Sequence, residues 1–196
     1  MATHQDEIPL FIPKGETNLI ILGTMGSINA RTVNGEKPDG EFFYYNNNRN
    51  HFWKVLQFLF EPEKEARKLT IEEKYAFLEK WGIAMSNIVN IAKVPNKDKD
   101  DPSDTVLFAA HKKNNVDFKH ASPKFKKLLK TKPMFFTCRR KKGIENLLEG
   151  FFEQNGLSAD LIDHIWYWPT PTRCNPKARS LIWKDEMKEF LAKFSS

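Results

Sequence analysis

Polar side chains that can bind a ligand or orient water are concentrated in a few short segments. A glycine-containing segment, residues 23–27, follows the apolar run 19–22, and an amide-rich segment, residues 46–50, lies between aromatic residues. An asparagine amide offers a donor beside an acceptor and can orient a water molecule, but it does not ionise usefully. These segments favour recognition of a ligand with a donor–acceptor edge, and the positioning of a water molecule beside it.

The polar segments are expected to meet at one edge of a parallel sheet. Residues 19–22 form an unbroken apolar run, typical of a strand covered on both faces, and the apolar segment 83–89 has Asn87 near its end. A third polar segment, 169–175, follows the aromatic run 165–168. Because ligands in open α/β sheets bind just beyond the carboxyl ends of the strands, we expect the binding site there.

Residues 23–27, 44–45 and 48–53 together resemble the first motif of the uracil-DNA glycosylase superfamily, and most closely its hypoxanthine (deoxyinosine) DNA glycosylase branch. That branch reads Gly-Ser/Thr-Met-Pro, then Tyr-Tyr, then Pro-Arg-Asn-x-Phe-Trp. The sequence has similar residues at 23–27, 44–45 and 48–53. Gly26 and Asn48 stand where the family has proline.

A second element similar to the family lies near the end of the sequence. Residues 169–175 read Pro-Thr-Pro-Thr-Arg-Cys-Asn, where the family has Pro-Ser-Thr-Ser-Pro-Ala-Asn. In the family this loop enters the duplex where the base leaves. Residues 101–104 loosely resemble a Gly-Ser-x-Asp segment of the family.

The resemblance implies a monofunctional DNA glycosylase that acts in base excision repair. Its partner would be DNA with a damaged or mismatched base, and its substrate a deaminated base, hypoxanthine or uracil. The base must first be flipped out of the stack, which costs a few kcal/mol. Hydrolysis of the N-glycosidic bond leaves positive charge on the sugar and negative charge on the base, so the site needs fixed donors and a placed water molecule.

The resemblance makes Asn50 the catalytic amide that orients the water molecule; the alternative is that Asn50 only caps a helix. Six residues are candidates for binding the base: Thr24, Met25, Gly26, Tyr45, Phe52 and Asn87. Tyr45 or Phe52 would stack on the flipped base, although both could equally be core residues. Asn87 would read the base edge, or would bond local backbone at a strand end.

Seven residues are candidates for contacting DNA: Ser27, Arg49, Pro169, Thr170, Pro171, Thr172 and Arg173. Prolines stiffen a loop, threonine hydroxyls can bond phosphate oxygens, and Arg173 could pair with a phosphate. The alternative for residues 169–175 is an ordinary proline-rich turn. The basic runs 124–132 and 139–142 are either solvated surface or further phosphate contacts.

Composition limits the class of protein. The chain carries 31 Lys and Arg against 25 Asp and Glu, a net charge of +6, which is compatible with a polyanionic partner. Two cysteines exclude a disulfide framework and a four-cysteine iron–sulfur cluster. We expect no metal and no cofactor, since zinc-ligand spacing and nucleotide-binding glycine motifs are absent from the sequence. Without a membrane span or signal peptide, we expect a cytoplasmic, intracellular monomer.

Apolar segments alternate with helical patterns, which predicts a three-layer α/β/α sandwich with a four-stranded parallel sheet, as the resemblance also implies, in a single domain over residues 1–196. The predicted strands are 17–24, 83–89, 133–138 and 165–168. The predicted helices are 50–60, 70–81, 143–155 and 178–194, the last with Leu181, Ile182, Met187, Phe190 and Leu191 facing inward. A further short helix is marked by Phe118, Phe125, Leu128 and Leu129. Thr70 and Glu73 form a capping-box pattern, and residues 92–105 are predicted to be a surface loop.

Two other functions remain open. The first is a nucleic-acid-binding module that kept the fold and lost the chemistry, for which the changes at Gly26 and Asn48 and a long first loop are the motive. The second is a hydrolase of free nucleosides, which would leave the basic surface without a purpose.

Overall fold

The computed structural model describes residues 1–27, 30–37, 42–45 and 50–194, and no side chain beyond residue 188. The strands are β1 (Ala2–Gln5), β2 (Leu19–Gly23), β3 (Thr32–Val33), β4 (Ile83–Asn87), β5 (Val89–Val94), β6 (Val116–Phe118), β7 (Met134–Phe136) and β8 (Ile165–Tyr167). The helices are α1 (Phe52–Phe60), α2 (Ile71–Trp81), α3 (Asp104–His111), α4 (Pro123–Thr131), α5 (Lys142–Gln154) and α6 (Pro176–Phe194). Two 3₁₀ turns lie at Asn96–Asp98 and Ala159–His164.

The central sheet has four parallel strands in the order β4-β2-β7-β8. Leu19 and Ile21 of β2 point into one apolar cluster, and Ile20 and Leu22 point into another. Helices α1, α2 and α6 pack in the first cluster, and α3, α4 and α5 pack in the second. The sheet is therefore the middle of three layers, which confirms the predicted architecture.

A second sheet, absent from the sequence prediction, packs beside the second cluster. Its strands run antiparallel in the order β3-β1-β5-β6. The prediction of a loop from residue 92 was wrong because Val89–Val94 is a strand, in which Ala92 and Val94 are buried and Lys93 is exposed. The loop prediction also missed the start of α3 at Asp104. Phe118, assigned to a short helix with Phe125, lies instead in β6, and that helix begins at Pro123.

Helix α2 follows its sequence signals closely. The Thr70 side chain accepts a hydrogen bond from the Glu73 N–H, and the Glu73 carboxylate accepts one from the Thr70 N–H. Gly82 ends the helix in the left-handed conformation, with φ of 63°. These contacts confirm the predicted capping box and helix end.

Helix α6 presents a different side to the core than predicted. Leu181 and Ile182 are 58% and 44% exposed, whereas Ser180 and Trp183 are buried. The Trp183 ring stacks on Trp168 at 4.2 Å, and its Nε1 donates to the Pro169 carbonyl at 3.0 Å. This aromatic stack sets the rotation of the helix and turns the two aliphatic residues outward. Met187 is partly buried against the same cluster, while Phe190 and Leu191 have side chains outside the described part.

Within the described ranges, no helix has the length and apolar character needed to span a membrane.

Candidate functional site

A cavity of about 230 Å³ opens at the carboxyl ends of the parallel strands. Gly23 of β2 pairs with Asn87 of β4. On the other side of β2, the neighbouring strand β7 ends at Phe136. The chain leaves β2 toward β4 and later returns to β7 on the opposite side, so the strand order reverses at this place. The cavity is lined by Ile8, Gly23, Thr24, Met25, Gly26, Ser27, Tyr44, Tyr45, Asn50, Asn87, Pro102, Asp104, Phe136, Thr137, Cys138, Thr170, Pro171 and Thr172.

A partly buried carboxyl group, Asp104, faces the turn after β2. Its Oδ1 accepts a hydrogen bond from the Thr24 hydroxyl at 2.7 Å. Burial raises the pKa of Asp104 above its usual range, while Thr24 and the positive charges of Lys141 and Arg31 act in the opposite direction. No role was predicted for Asp104, although the resemblance at residues 101–104 contained the signal. Among the described residues that line the cavity, Asp104 thus provides the one carboxyl group, next to amides and hydroxyls.

A second carboxyl group, Asp6, lies behind the same turn with its side chain fully buried. Its Oδ2 accepts hydrogen bonds from the Gly26 N–H at 2.6 Å and from Asn87 Nδ2 at 2.7 Å. Gly26 was predicted to offer its backbone to a base, but its N–H is already engaged. Sequence reasoning missed Asp6, because an isolated acidic residue in a polar segment carries no local pattern.

Asn87 is only 4% exposed and lines the cavity. Its amide nitrogen bonds the Asp6 carboxylate, 81 positions away, rather than local backbone. A Cβ on Gly23 would lie 2.6 Å from Asn87 Oδ1, so only glycine fits beside this amide. The structure thus brings Asn87 to the cavity together with Thr24 and Met25.

The two candidate stacking residues have different positions. Tyr45 lines the cavity with φ of 51°, and its hydroxyl is hydrogen-bonded to Thr137. Phe52 is fully buried and does not line the cavity; its ring stacks under Tyr45 at 4.1 Å. The prediction that Phe52 could stack directly on a base is therefore wrong, because the Tyr45 ring covers it. Burial also raises the pKa of Tyr45 well above its usual value, so its hydroxyl remains protonated.

Asn50 lines the cavity and lies directly before His51, the N-cap residue of α1. Its Oδ1 accepts a hydrogen bond from the Phe52 N–H at 2.9 Å, in the first turn of α1. Its Nδ2 lies 3.4 Å from the Thr172 hydroxyl, and the two residues also form an isolated antiparallel bridge. The Asn50 side chain thus bonds the first residue of the helix without occupying the cap position, and Asn50 also lines the cavity.

The Pro-Thr loop, residues 169–173, forms the mouth of the cavity. Thr170, Pro171 and Thr172 line it, and the Thr172 N–H donates to the Thr170 hydroxyl at 3.3 Å. Pro169 instead receives the Trp183 indole, and Arg173 is exposed in the left-handed region at φ of 51°. Ser27 lines the cavity, whereas Arg49 and Asn48 lie outside the described residues.

Cysteine chemistry does not fit this cavity. Cys138 lines it, but burial raises the pKa of its thiol to about 12, so the thiolate nucleophile is not formed near neutral pH. Across the residues that the structure describes, no three His, Cys, Asp or Glu side chains lie together as metal ligands would. What the cavity offers is amides, hydroxyls and the Asp104 carboxyl group.

Comparison with known proteins supports the fold. No family model and no curated protein matches the chain. Among solved structures, the chain is similar to the solution NMR structure of a protein from Methanosarcina acetivorans described as a putative uracil DNA glycosylase. The TM-score is 0.53, with 15% sequence identity, over 94% of this chain and 99% of that chain. The likeness establishes an α/β fold with helices around a four-stranded parallel sheet, as in that uracil-DNA-glycosylase-like structure.

Proposed function

We propose that the protein is a monofunctional DNA glycosylase that removes a deaminated base, hypoxanthine or uracil, in base excision repair. One observation carries the proposal: two segments 122 positions apart meet at the mouth of the cavity, where the Asn50 amide pairs with Thr172. In the family that the sequence resembles, these two segments place the water molecule and enter the duplex. Their meeting beside one cavity is the arrangement that base removal requires.

The size and lining of the cavity suit a single nucleobase. Its volume of about 230 Å³ lies below the roughly 300–1,000 Å³ of pockets for drug-sized ligands. Tyr45 supplies an aromatic edge, and Asn87 supplies an amide that can pair with a base edge. A base flipped from the helix would enter past the Pro-Thr loop, whose stiff prolines would hold the gap in the duplex.

The chemistry follows from the charges that develop as the N-glycosidic bond breaks. Asn50 would orient a water molecule toward the sugar carbon, since an amide is adequate where the sugar cation is already well developed. The Asp104 carboxylate, held by the Thr24 hydroxyl, would offset positive charge on the sugar. The negative charge of the departing base would lie close to the amide and hydroxyl donors of the cavity. The base would then take up the proton that the water molecule loses when it adds to the sugar carbon, and would leave as the neutral base.

A base-release assay tests the proposal. Purified protein is incubated with oligonucleotides that contain uracil, hypoxanthine, xanthine or a G·T mismatch, and abasic sites are then cleaved with alkali. We expect release from at least one deaminated substrate, and a decrease of at least 10²-fold in Asn50→Ala, because misplacing a reactant costs about that much. The control, Asn90→Ala, removes an amide that does not line the cavity and should retain full activity. Absence of release from every substrate would refute the proposed activity.

A binding module without turnover is the second candidate. It is favoured by two cavity groups that already have partners. The side-chain oxygen of Asn50 accepts from the Phe52 N–H, and the Gly26 N–H donates to Asp6. The net charge of +6 would then serve DNA binding alone. This candidate predicts DNA binding that weakens steeply with salt, no base release, and no change of affinity in Asn50→Ala.

A further inference from the structure

The Asp6 carboxylate joins its own N-terminal segment to three distant residues, Gly26, Asn87 and Lys119. Oδ1 accepts hydrogen bonds from the Ile8 N–H at 2.8 Å and from Lys119 Nζ at 3.2 Å. Oδ2 accepts hydrogen bonds from the Gly26 N–H at 2.6 Å and from Asn87 Nδ2 at 2.7 Å. The Asp6 side chain has no exposed surface and Lys119 keeps only 14%, so these contacts are shielded from water.

The carboxylate determines which way the Asn87 amide points. At neutral pH a carboxylate only accepts hydrogen bonds, so the nitrogen of the amide, and not its oxygen, must face Asp6. Asn87 Oδ1 then lies against Gly23 in the cavity wall, where a Cβ would be 2.6 Å away. Oδ1 has no hydrogen-bond partner among the described residues. Asn87 Oδ1 is therefore a fixed, nearly buried acceptor in the cavity, and it is available to a donor on a ligand.

We infer that Asp6 is a positioning residue that sets the base specificity of the cavity through the orientation of Asn87. This inference rests on the proposed function and deepens it. Hypoxanthine and uracil carry a ring N–H beside a carbonyl, so they can donate to Asn87 Oδ1 and accept from the remaining amide N–H. Adenine and cytosine carry a ring nitrogen acceptor beside an amino group, and they would place an acceptor against Oδ1. The fixed amide thus favours hypoxanthine and uracil and disfavours adenine and cytosine, from which they form by deamination.

Replacing the carboxylate with an amide should remove this constraint. In Asp6→Asn the new side chain has one acceptor and one donor end, and the Lys119 ammonium and Ile8 N–H attract the acceptor end. The donor end would then face both Asn87 and the Gly26 N–H, and Gly26 would lose its acceptor. It would favour the flipped Asn87 amide, with Oδ1 toward residue 6 and Nδ2 toward the cavity. This change reverses the pattern that the base meets.

The experiment measures preference and activity separately. Binding of free hypoxanthine, adenine, uracil and cytosine to the full chain is measured by calorimetry or NMR titration, and base release from oligonucleotides by the alkali assay. We expect wild type to prefer hypoxanthine over adenine and uracil over cytosine, and Asp6→Asn to lose at least tenfold of each preference. The matched control is Glu7→Gln, the same chemical change at the next residue, whose carboxylate contacts Thr32 instead. The control should keep the wild-type preference.

The outcomes separate the inference from the proposed function. In one outcome, wild type prefers hypoxanthine and uracil but releases no base, while Asp6→Asn loses that preference. This result would support the inference and refute the glycosylase. Base release with the same preference in Asp6→Asn as in wild type would support the glycosylase and overturn the inference. Equal affinity of wild type for all four bases, or no binding of any, would also overturn it.

A measurement on wild type covers the case in which Asp6→Asn does not fold. The Asn87 side-chain amide protons should exchange with solvent much more slowly than those of Asn90, whose Nδ2 donates to Asp117 at an exposed position. Equal exchange of the two side chains would overturn the fixed orientation. Slow exchange confined to Asn87 would support it.

Discussion

The two walls of the cavity are held in place in opposite ways. The inner wall, formed by Asp6, Gly23, Gly26 and Asn87, is tied by hydrogen bonds of 2.6 and 2.7 Å between buried groups. The side chains of the outer wall, formed by Asn50 and residues 170–172, are tied by hydroxyl contacts of 3.3 and 3.4 Å at exposed positions, next to one backbone hydrogen bond of 3.1 Å from the His51 N–H to the Pro171 carbonyl. Short buried bonds resist rearrangement, whereas long exposed ones can be exchanged for a ligand at little cost.

The difference matches two tasks that the proposed base removal would require. Reading a base edge requires an acceptor that does not turn, because a flipped amide would read a different base. Holding DNA and a water molecule requires groups that give up a weak mutual contact when the substrate arrives. We therefore expect large effects from substitutions that disturb the inner wall. Substitutions that remove only a contact within the outer wall, and leave the Asn50 amide in place, should have small effects.

The largest effect is expected from Gly23→Ala. The new Cβ would lie 2.6 Å from Asn87 Oδ1 and 3.1 Å from the Tyr45 hydroxyl oxygen. Neither group can move freely, since Asp6 holds Asn87 and Thr137 holds Tyr45. Base release should fall about 10²-fold or more, and overpacking should cost about 1–3 kcal/mol of unfolding free energy. Release assays and chemical denaturation measure both.

The control for Gly23→Ala is Gly15→Ala. A Cβ on Gly15 meets no atom within 4 Å, so neither activity nor stability should change appreciably. An active Gly23→Ala variant would mean that the inner wall can adjust, and the comparison of the two walls would fail.

The next largest effect is expected from Asp104→Asn, which removes the partly buried carboxylate of the cavity. Base release should decrease about tenfold to a hundredfold, equivalent to one to three kcal/mol of lost charge stabilisation. Stability should move in the opposite direction. Because burial raises the folded-state pKa of Asp104, the carboxyl group favours the fold below its unfolded pKa of about 3.9, and this contribution is lost as pH rises through the folded pKa.

The melting temperature of Asp104→Asn minus that of wild type should therefore be larger at pH 7 than at pH 3. Thermal unfolding at the two pH values measures the difference. The exposed Asp163, paired with Arg140, provides the control: Asp163→Asn should show no stabilisation at pH 7. A variant of Asp104 that is fully active would remove this carboxyl group from the mechanism.

A smaller effect is expected at the exposed end of the Pro-Thr loop. Arg173 has φ of 51°, a conformation that glycine adopts without strain. Arg173→Gly should therefore stabilise the fold by about 0.5–1 kcal/mol, whereas Arg173→Ala should not. If Arg173 contacts a phosphate, both variants should bind DNA more weakly and with a salt dependence reduced by about one ion. Unchanged salt dependence would remove Arg173 from the DNA interface.

The smallest effect is expected from Thr172→Val. The contact from Asn50 Nδ2 to the Thr172 hydroxyl is 3.4 Å long and exposed, so its loss should change base release by less than about threefold. Helix α1 should be unaffected, since the Phe52 N–H still bonds Asn50 Oδ1. A decrease as large as that of Gly23→Ala would show that the outer wall is as strictly fixed as the inner one.

Local patterns were sufficient to predict the parallel sheet and the position of the cavity. Unbroken apolar runs predicted the core of each parallel strand, and Thr70, Glu73 and Gly82 predicted the bounds of α2. Asn87 was placed correctly at a strand end because its neighbours form such a run.

What sequence reasoning missed depends on partners far along the chain. Asp6 gains its importance only from Gly26, Asn87 and Lys119, none of which is close to it in sequence. The strands of the second sheet are short, and their pairing is visible only once the chain is folded. Phe52 was a candidate because aromatic residues occur both in cores and at base-stacking surfaces, and only the position of Tyr45 decided between them.

The long reach of the Asp6 contacts also affects when the cavity becomes competent. Asp6 is 81 positions from Asn87 and 113 from Lys119, and β1, directly before it, pairs between β3 and β5. Contacts of such separation form late, because the entropy of closing long loops must be met first. A partly folded chain with its aromatic core and parallel sheet in place would still leave Asn87 free to rotate. Base discrimination would then report the completion of folding more strictly than any spectroscopic measure of helix or sheet.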